Sequence, residues 1–110
     1  MSNTIVQKLL NERTGLLAEL GTLSQMLHGS WVERFSLCSR ANCRCHQGDR
    51  HGPRRYLVVR EQGRQRQKYL PNSQVQAAKV GLDQYHRLCQ IVDRITTINL
   101  ALMKEHAYED

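Results

Sequence analysis

The chain has 110 residues and a mass of 12.7 kDa, the size of one domain and too short for an enzyme with separate cofactor and substrate domains. Hydrophobic residues make up 40%, with one Phe and one Trp, so the core is small and aliphatic, a setting in which domains often add a metal or a partner chain. The net charge of +6 points to an anionic partner only through its distribution.

The spacing predicts a first helix over residues 5–28. Ile5, Leu9, Leu16, Leu20, Leu23 and Leu27 form its stripe, Arg13 fills the gap in the 3/4 alternation, and Gly29-Ser30 ends it. Gly15 and Gly21 each cost about 1 kcal/mol against Ala in a helix, so packing must hold it.

Residues 36–55 read as a metal-binding loop. Cys38, Cys43, Cys45, His46 and His51 lie within fourteen residues. Structural Zn²⁺ takes four tetrahedral sulfur or nitrogen ligands, and Cys38, Cys43, Cys45 and His51 supply them. Gly48 and Gly52-Pro53 give the chain around His51 its turns. His46 and Cys89 are alternative fourth ligands. His46 adjoins Cys45, which competes for the same geometry, and Cys89 fits a helix stripe as a small hydrophobe. The spacing C-x4-C-x-C-x5-H is not a standard zinc-finger pattern. A redox-active thiol cluster, an iron–sulfur site and spectator cysteines are the rival readings. The loop has almost no large apolar side chain from Ser36 to Arg55, and zinc can supply on the order of 10 kcal/mol to such a segment. Met1-Ser2-Asn3-Thr4 does not resemble a secretory signal, and no run has the apolar length of a membrane span. A cytoplasmic setting without membrane contact is expected, where cysteines serve metals more often than disulfides.

Residues 56–70 predict a two-stranded hairpin. Tyr56-Leu57-Val58-Val59-Arg60 and Arg64–Leu70 flank the turn Glu61-Gln62-Gly63. Read as a three-residue loop, that turn pairs Arg60 with Arg64 and Val58 with Arg66. Tyr56, Val58, Arg60, Arg64, Arg66 and Lys68 then share one face. Leu57, Val59, Gln65, Gln67 and Tyr69 share the other. A two-residue loop would shift this register by one.

A second helix is predicted over 72–105, capped at Asn72 or Ser73 after Pro71, with a stripe through Val75, Ala78, Leu82, Tyr85, Leu88, Val92, Ile95, Asn99 and Leu102. Ile91 and Ile98 widen it beyond a coiled-coil seam. The two helices are expected to pack as an antiparallel hairpin and, through Leu88, Val92, Ile95 and Leu102, to form a homodimer. The bland reading of both stripes is core alone. The fold expected is therefore α+β in a single domain, 1–110: helix, zinc-stabilised loop, two-stranded hairpin, long helix.

From Arg34 to Lys68 the chain carries ten basic and two acidic side chains, a net +8, while the remainder carries six basic and eight acidic, a net −2. Nine of the ten are Arg, whose planar fork suits phosphates and guanine edges. Arg54, Arg55, Arg60, Arg64, Arg66 and Lys68 are the candidate nucleic-acid contacts, in a basic ribbon of the kind that enters a major groove. An acidic protein partner and a merely solvated loop are the alternatives. No motif such as a nucleophile elbow accompanies Ser30 or Ser36, and the loop offers only Asp49 beside its cysteines, so no enzymatic activity is expected.

The run from Gly29 to Met103 resembles a small bacterial and phage family of unknown function, often encoded near mobile-element or recombinase genes. The resemblance is carried by Cys38, Cys43 and Cys45, His51-Gly52-Pro53, Tyr56-Leu57, Gly63-Arg64, Tyr69-Leu70-Pro71 and the helix that follows. Ser39 stands where the family pattern has Gly, and Arg54-Arg55 where it has aromatic residues. The resemblance implies that His51 belongs to the motif, and carries no settled activity. The expectation is a zinc-stabilised DNA-binding regulator or accessory factor of a mobile element. The runner-up is an adaptor that docks on a larger recombinase or nuclease.

Overall fold

The computed structural model describes the backbone of residues 2–36 and 51–108, and the side chains of 4–35 and 53–108. In chain order the elements are α1 (Ser2–Leu20), β1 (Gly29–Ser36), β2 (His51–Glu61), β3 (Arg64–Tyr69), a 3-10 turn (Asn72–Gln74) and α2 (Val75–Lys104). The architecture is α+β, but the sheet has three antiparallel strands in the order β1-β2-β3. The expected two-stranded hairpin is thus corrected: residues 29–36, read only as a helix stop at 29–30 and the start of a loop at 36, form a strand paired with β2 from His51 to Val59. Contacts divide the chain into two compact units, residues 27–82 and residues 1–26 with 83–110.

The helical unit holds α1 and the later turns of α2. α1 ends at Leu20, eight residues before the expected stop. Gly21, Thr22 and Leu23 donate to the carbonyls of Ala18, Glu19 and Leu20, and the Thr22 hydroxyl donates to Glu19 O at 2.7 Å. This tightening to i→i+3 bonds closes the helix where Gly21 weakens it. Leu23, expected within the stripe, is buried after the helix has ended. α2 contributes Ile91, Ile98 and Leu102, each fully buried, at 3/4 spacing on one face.

Two side-on ion pairs join the helices. Arg94 donates through Nε and Nη2 to Glu12 at 2.5 and 2.8 Å. Arg87 donates the same way to Glu19 at 2.6 and 2.8 Å. Ascending seven residues in α1 means descending seven in α2, so the helices run antiparallel. Arg13, the polar residue in the first stripe, donates to Asn99, the polar residue in the second, at 2.8 Å.

The sheet unit packs its β1–β2 strands on the first turns of α2. Leu57, Leu70 and Ala78 are buried, the Lys79 ammonium lies 5.5 Å from the Trp31 ring centroid, and Leu27 N–H donates to Gly81 O at 2.9 Å. Gly29 begins β1 where the strands approach closely: a Cβ there would sit 2.3 Å from Val58 O. β2 starts at His51, not Tyr56. Arg34 pairs with Arg54 but Ser36 pairs with His51, so β2 holds one extra residue there. Pro53 falls at this bulge, the place where a central strand tolerates a residue without an N–H.

The Glu12 and Glu19 carboxyls are held below the ordinary glutamate value by hydrogen bonds from Arg94 and Arg87. A depressed folded-state pKa contributes stability above the unfolded value, near pH 4.3, which is lost as pH falls through the folded value. Thermal melts followed by helical circular dichroism should therefore show wild type more stable than a Glu12→Gln/Glu19→Gln variant at neutral pH, with the two converging in acid. Melting curves that stay parallel across that range would mean the pairs contribute nothing.

Candidate nucleic-acid interface

The β2–β3 turn decides which side chains share a face. Glu61 pairs with Arg64, Arg60 with Gln65, Val59 with Arg66, Val58 with Gln67, Leu57 with Lys68 and Tyr56 with Tyr69. Gln62 and Gly63 form a two-residue turn, both at positive φ, 53° and 76°. That geometry matches the right-handed twist of the flanking strands, as turns with the opposite sign of φ do not. The expected pairs Arg60–Arg64 and Val58–Arg66, and the basic ribbon face built on them, are corrected accordingly.

Because cross-strand partners share a face and neighbours along a strand alternate, the register sorts every sheet residue. One face carries Trp31 and Glu33 of β1, Arg55, Leu57, Val59 and Glu61 of β2, and Arg64, Arg66 and Lys68 of β3. The Trp31–Lys79 contact places this face against the start of α2, and Leu57 is buried on it. Its two carboxylates are paired, Glu33 with Arg55 at 3.9 Å and Glu61 with Arg66 at 2.7 Å. Arg55 also donates to Asn72 Oδ1 at 2.8 Å. All six residues of β3 are exposed, so Arg64 and Lys68 reach solvent beyond the cover of α2.

The opposite face carries Ser30, Val32 and Arg34 of β1, Arg54, Tyr56, Val58 and Arg60 of β2, and Gln65, Gln67 and Tyr69 of β3. It holds three arginines and no carboxylate among the described residues. The Arg34 guanidinium lies 5.6 Å from the Tyr56 ring centroid and donates to Gln67 Oε1 at 3.0 Å. Tyr56 and Tyr69 meet edge to face, with centroids 6.0 Å apart and planes at 72°. A recess of about 290 Å³ opens on the same face beside His28, Ser30, Val58, Arg60 and Gln65.

The six expected cationic contacts are therefore divided. Arg54 and Arg60 lie on the open face, while Arg55, Arg64, Arg66 and Lys68 lie on the other. Arg34 and the tyrosine pair join the open face, and sequence reasoning left them out of the site. The strand-favouring residues Trp31, Val32 and Phe35 are the signal available for β1.

Cys38, Cys43, Cys45 and His46 lie outside the described residues, as does the side chain of His51. Among the described residues no group of three or more His, Cys, Asp or Glu side chains gathers to hold a metal. Cys89 is half-buried on α2, where it hydrogen-bonds the Tyr85 phenol and pushes that group up from its ordinary value. Of the four expected dimer contacts, Leu102 is fully buried within the chain, Leu88 and Ile95 are half-buried, and Val92 is exposed. Leu100 and Met103 are exposed as well. No helix among the described residues is long and apolar enough to cross a membrane.

A family model described as a domain of unknown function (DUF6788) matches residues 6–79. That span runs from the first helix through the cysteine-rich segment and the sheet into the start of α2. No curated protein matches the chain, and neither does any solved structure. With its model matching well over half of the chain, the DUF6788 family of unknown function is the family to which this protein belongs.

Proposed function

We propose that the chain is a non-enzymatic, zinc-stabilised DNA-binding protein, a regulator or accessory factor for a mobile element or phage. The observation that carries the reading is the sorting of charge by the sheet. Both sheet carboxylates stand on the face that packs on α2, each beside an arginine. The open face is left with Arg34, Arg54 and Arg60 and no acid among the described residues. Such a surface attracts phosphates by counterion release. The setting near mobile-element and recombinase genes comes from the family resemblance.

In this reading Cys38, Cys43, Cys45 and His51 hold the zinc, which supplies folding energy and no chemistry. The Ser36–His51 strand pair supports it. That pair closes the base of the 37–50 connection, and Cys38 follows Ser36 by two residues. Ends already joined reduce the entropy of closing the loop around an ion. The expected stoichiometry is one zinc per chain by elemental analysis. Cys43→Ser and Cys45→Ser should each lower it. Full zinc retention in both variants would exclude this ligand set, and loss in His46→Ala but not His51→Ala would reassign the fourth position.

The second reading, an adaptor or homodimer that buries its helices on a partner, is favoured by one observation. Val92, Leu100 and Met103 are exposed and lie within a quarter-turn on α2, away from the Ile91–Ile98 stripe. Salt dependence separates the two readings. DNA affinity should fall steeply with salt, and Arg54→Gln/Arg60→Gln should flatten the log–log slope by roughly one to two units. An affinity for DNA that ignores salt, or a slope unchanged in the double variant, would favour the adaptor.

A further inference from the structure

We propose that the open face of the sheet binds single-stranded DNA, with a base stacked on Tyr69 and the flanking phosphates met by Arg34, Arg54 and Arg60. The proposal rests on the DNA-binding reading and makes it specific. Duplex grooves are read by hydrogen bonds and methyl contacts at base edges. Unpaired bases are instead held by aromatic rings set in a cationic surface, because each base offers a π face once it leaves the stack.

The open face has that composition in one connected patch. Tyr69 is 62% exposed on the outer strand, which leaves much of its ring accessible to a stacking base. Its orientation is set by the edge-to-face contact with Tyr56, which is half-buried. Arg34 lies against the Tyr56 ring, and its Gln67 bond holds the guanidinium there. A guanidinium so held offers a second flat surface on which a base can stack. Arg54 lies beside Arg34 across the β1–β2 pair, and Arg60 lies four residues from Tyr56 along β2, about 13 Å at the usual strand rise. Cations thus flank the aromatic pair on both sides along the central strand.

The other face does not fit this occupant. Its aromatic residue, Trp31, is engaged by Lys79 of α2, and two of its arginines are matched by carboxylates. DNA, the partner already inferred, is the occupant proposed, and RNA, which proteins distinguish through its 2′-hydroxyl, is an arm of the test.

The test is fluorescence anisotropy of the full chain with a labelled mixed-sequence strand of about 15 nucleotides, near the upper site size of single-strand binders. Its duplex and its RNA counterpart are measured at the same low salt. The expected result is tighter binding of the single DNA strand than of the duplex, with RNA no tighter than DNA. Tyr69→Ala should weaken single-strand binding by roughly 5- to 150-fold, the range for loss of one stacked base. Tyr69→Phe should retain it, and duplex affinity should not change in either variant. Circular dichroism of both variants checks the fold, and Arg34→Gln gives an independent loss without touching Tyr69. Unchanged single-strand affinity in Tyr69→Ala, a preference for duplex, or a preference for RNA would each overturn the proposal. If the duplex still binds with a steep salt slope, the DNA-binding reading survives that failure. If neither form of DNA binds at low salt, both fall.

Discussion

A shift of one residue at the β2–β3 turn would exchange the two faces of β3 relative to β2. With Glu61 opposite Arg64 across Gln62-Gly63, Tyr69 comes beside Tyr56, and Arg66 comes beside Glu61. With a three-residue loop, Tyr69 would instead lie with Leu57, and the acid-free face would collect the β3 cations. The charge sorting, the tyrosine pair and the exclusion of Arg64, Arg66 and Lys68 from the open face all follow from that register. β1 reinforces it from the other side of β2. Gly29 lets the strands close to a distance that any Cβ would block, and the bulge at Pro53 absorbs the one mismatch.

The helical unit depends on a different repeat. Glu12 and Glu19, seven residues apart, meet Arg94 and Arg87, also seven apart, with the same side-on geometry. Each pair is exposed enough that solvent screens much of its strength. Their consequence is register: only one antiparallel alignment satisfies both. Arg13 and Asn99 act in the same sense, since a polar pair placed within two apolar stripes is left unmatched when the helices slide. The buried contribution comes from Ile91, Ile98 and Leu102. Leu102 is wholly covered within one chain, so a partner would have to meet the neighbouring face, where Val92, Leu100 and Met103 emerge.

Much of this was legible from the residues. The long second helix, the hairpin centred on Gly63 and the segregation of arginine into the middle segment all rest on local signals. Three features were not. β1 is hard to read from the sequence because Trp31-Val32 breaks a clean polar–apolar alternation and because its strand partners lie 15 to 30 residues away. The spacing overextends α1 because Leu23 and Leu27 continue it past Gly21; burial of Leu23 after the helix end preserves the pattern without the helix. The turn reads as three residues because Gln62 is not a residue that favours positive φ, so the two-residue form has no Asn-Gly or Asp-Gly signature. The wrong turn then carried through to the ribbon face. The tyrosine pair was invisible for the same reason, because it exists only in the correct register.

The central claim, that DNA meets the face of the sheet turned away from α2, is tested most directly by side-chain NMR during titration with single-stranded DNA. The Tyr56 and Tyr69 ring signals and the Nε–H signals of Arg34, Arg54 and Arg60 should shift early, while the Trp31 indole N–H, held against Glu33 at 3.1 Å, should stay in place. Shifts concentrated at Trp31, Arg64 and Lys68, or along Val92, Leu100 and Met103, with the two tyrosines unmoved, would contradict it.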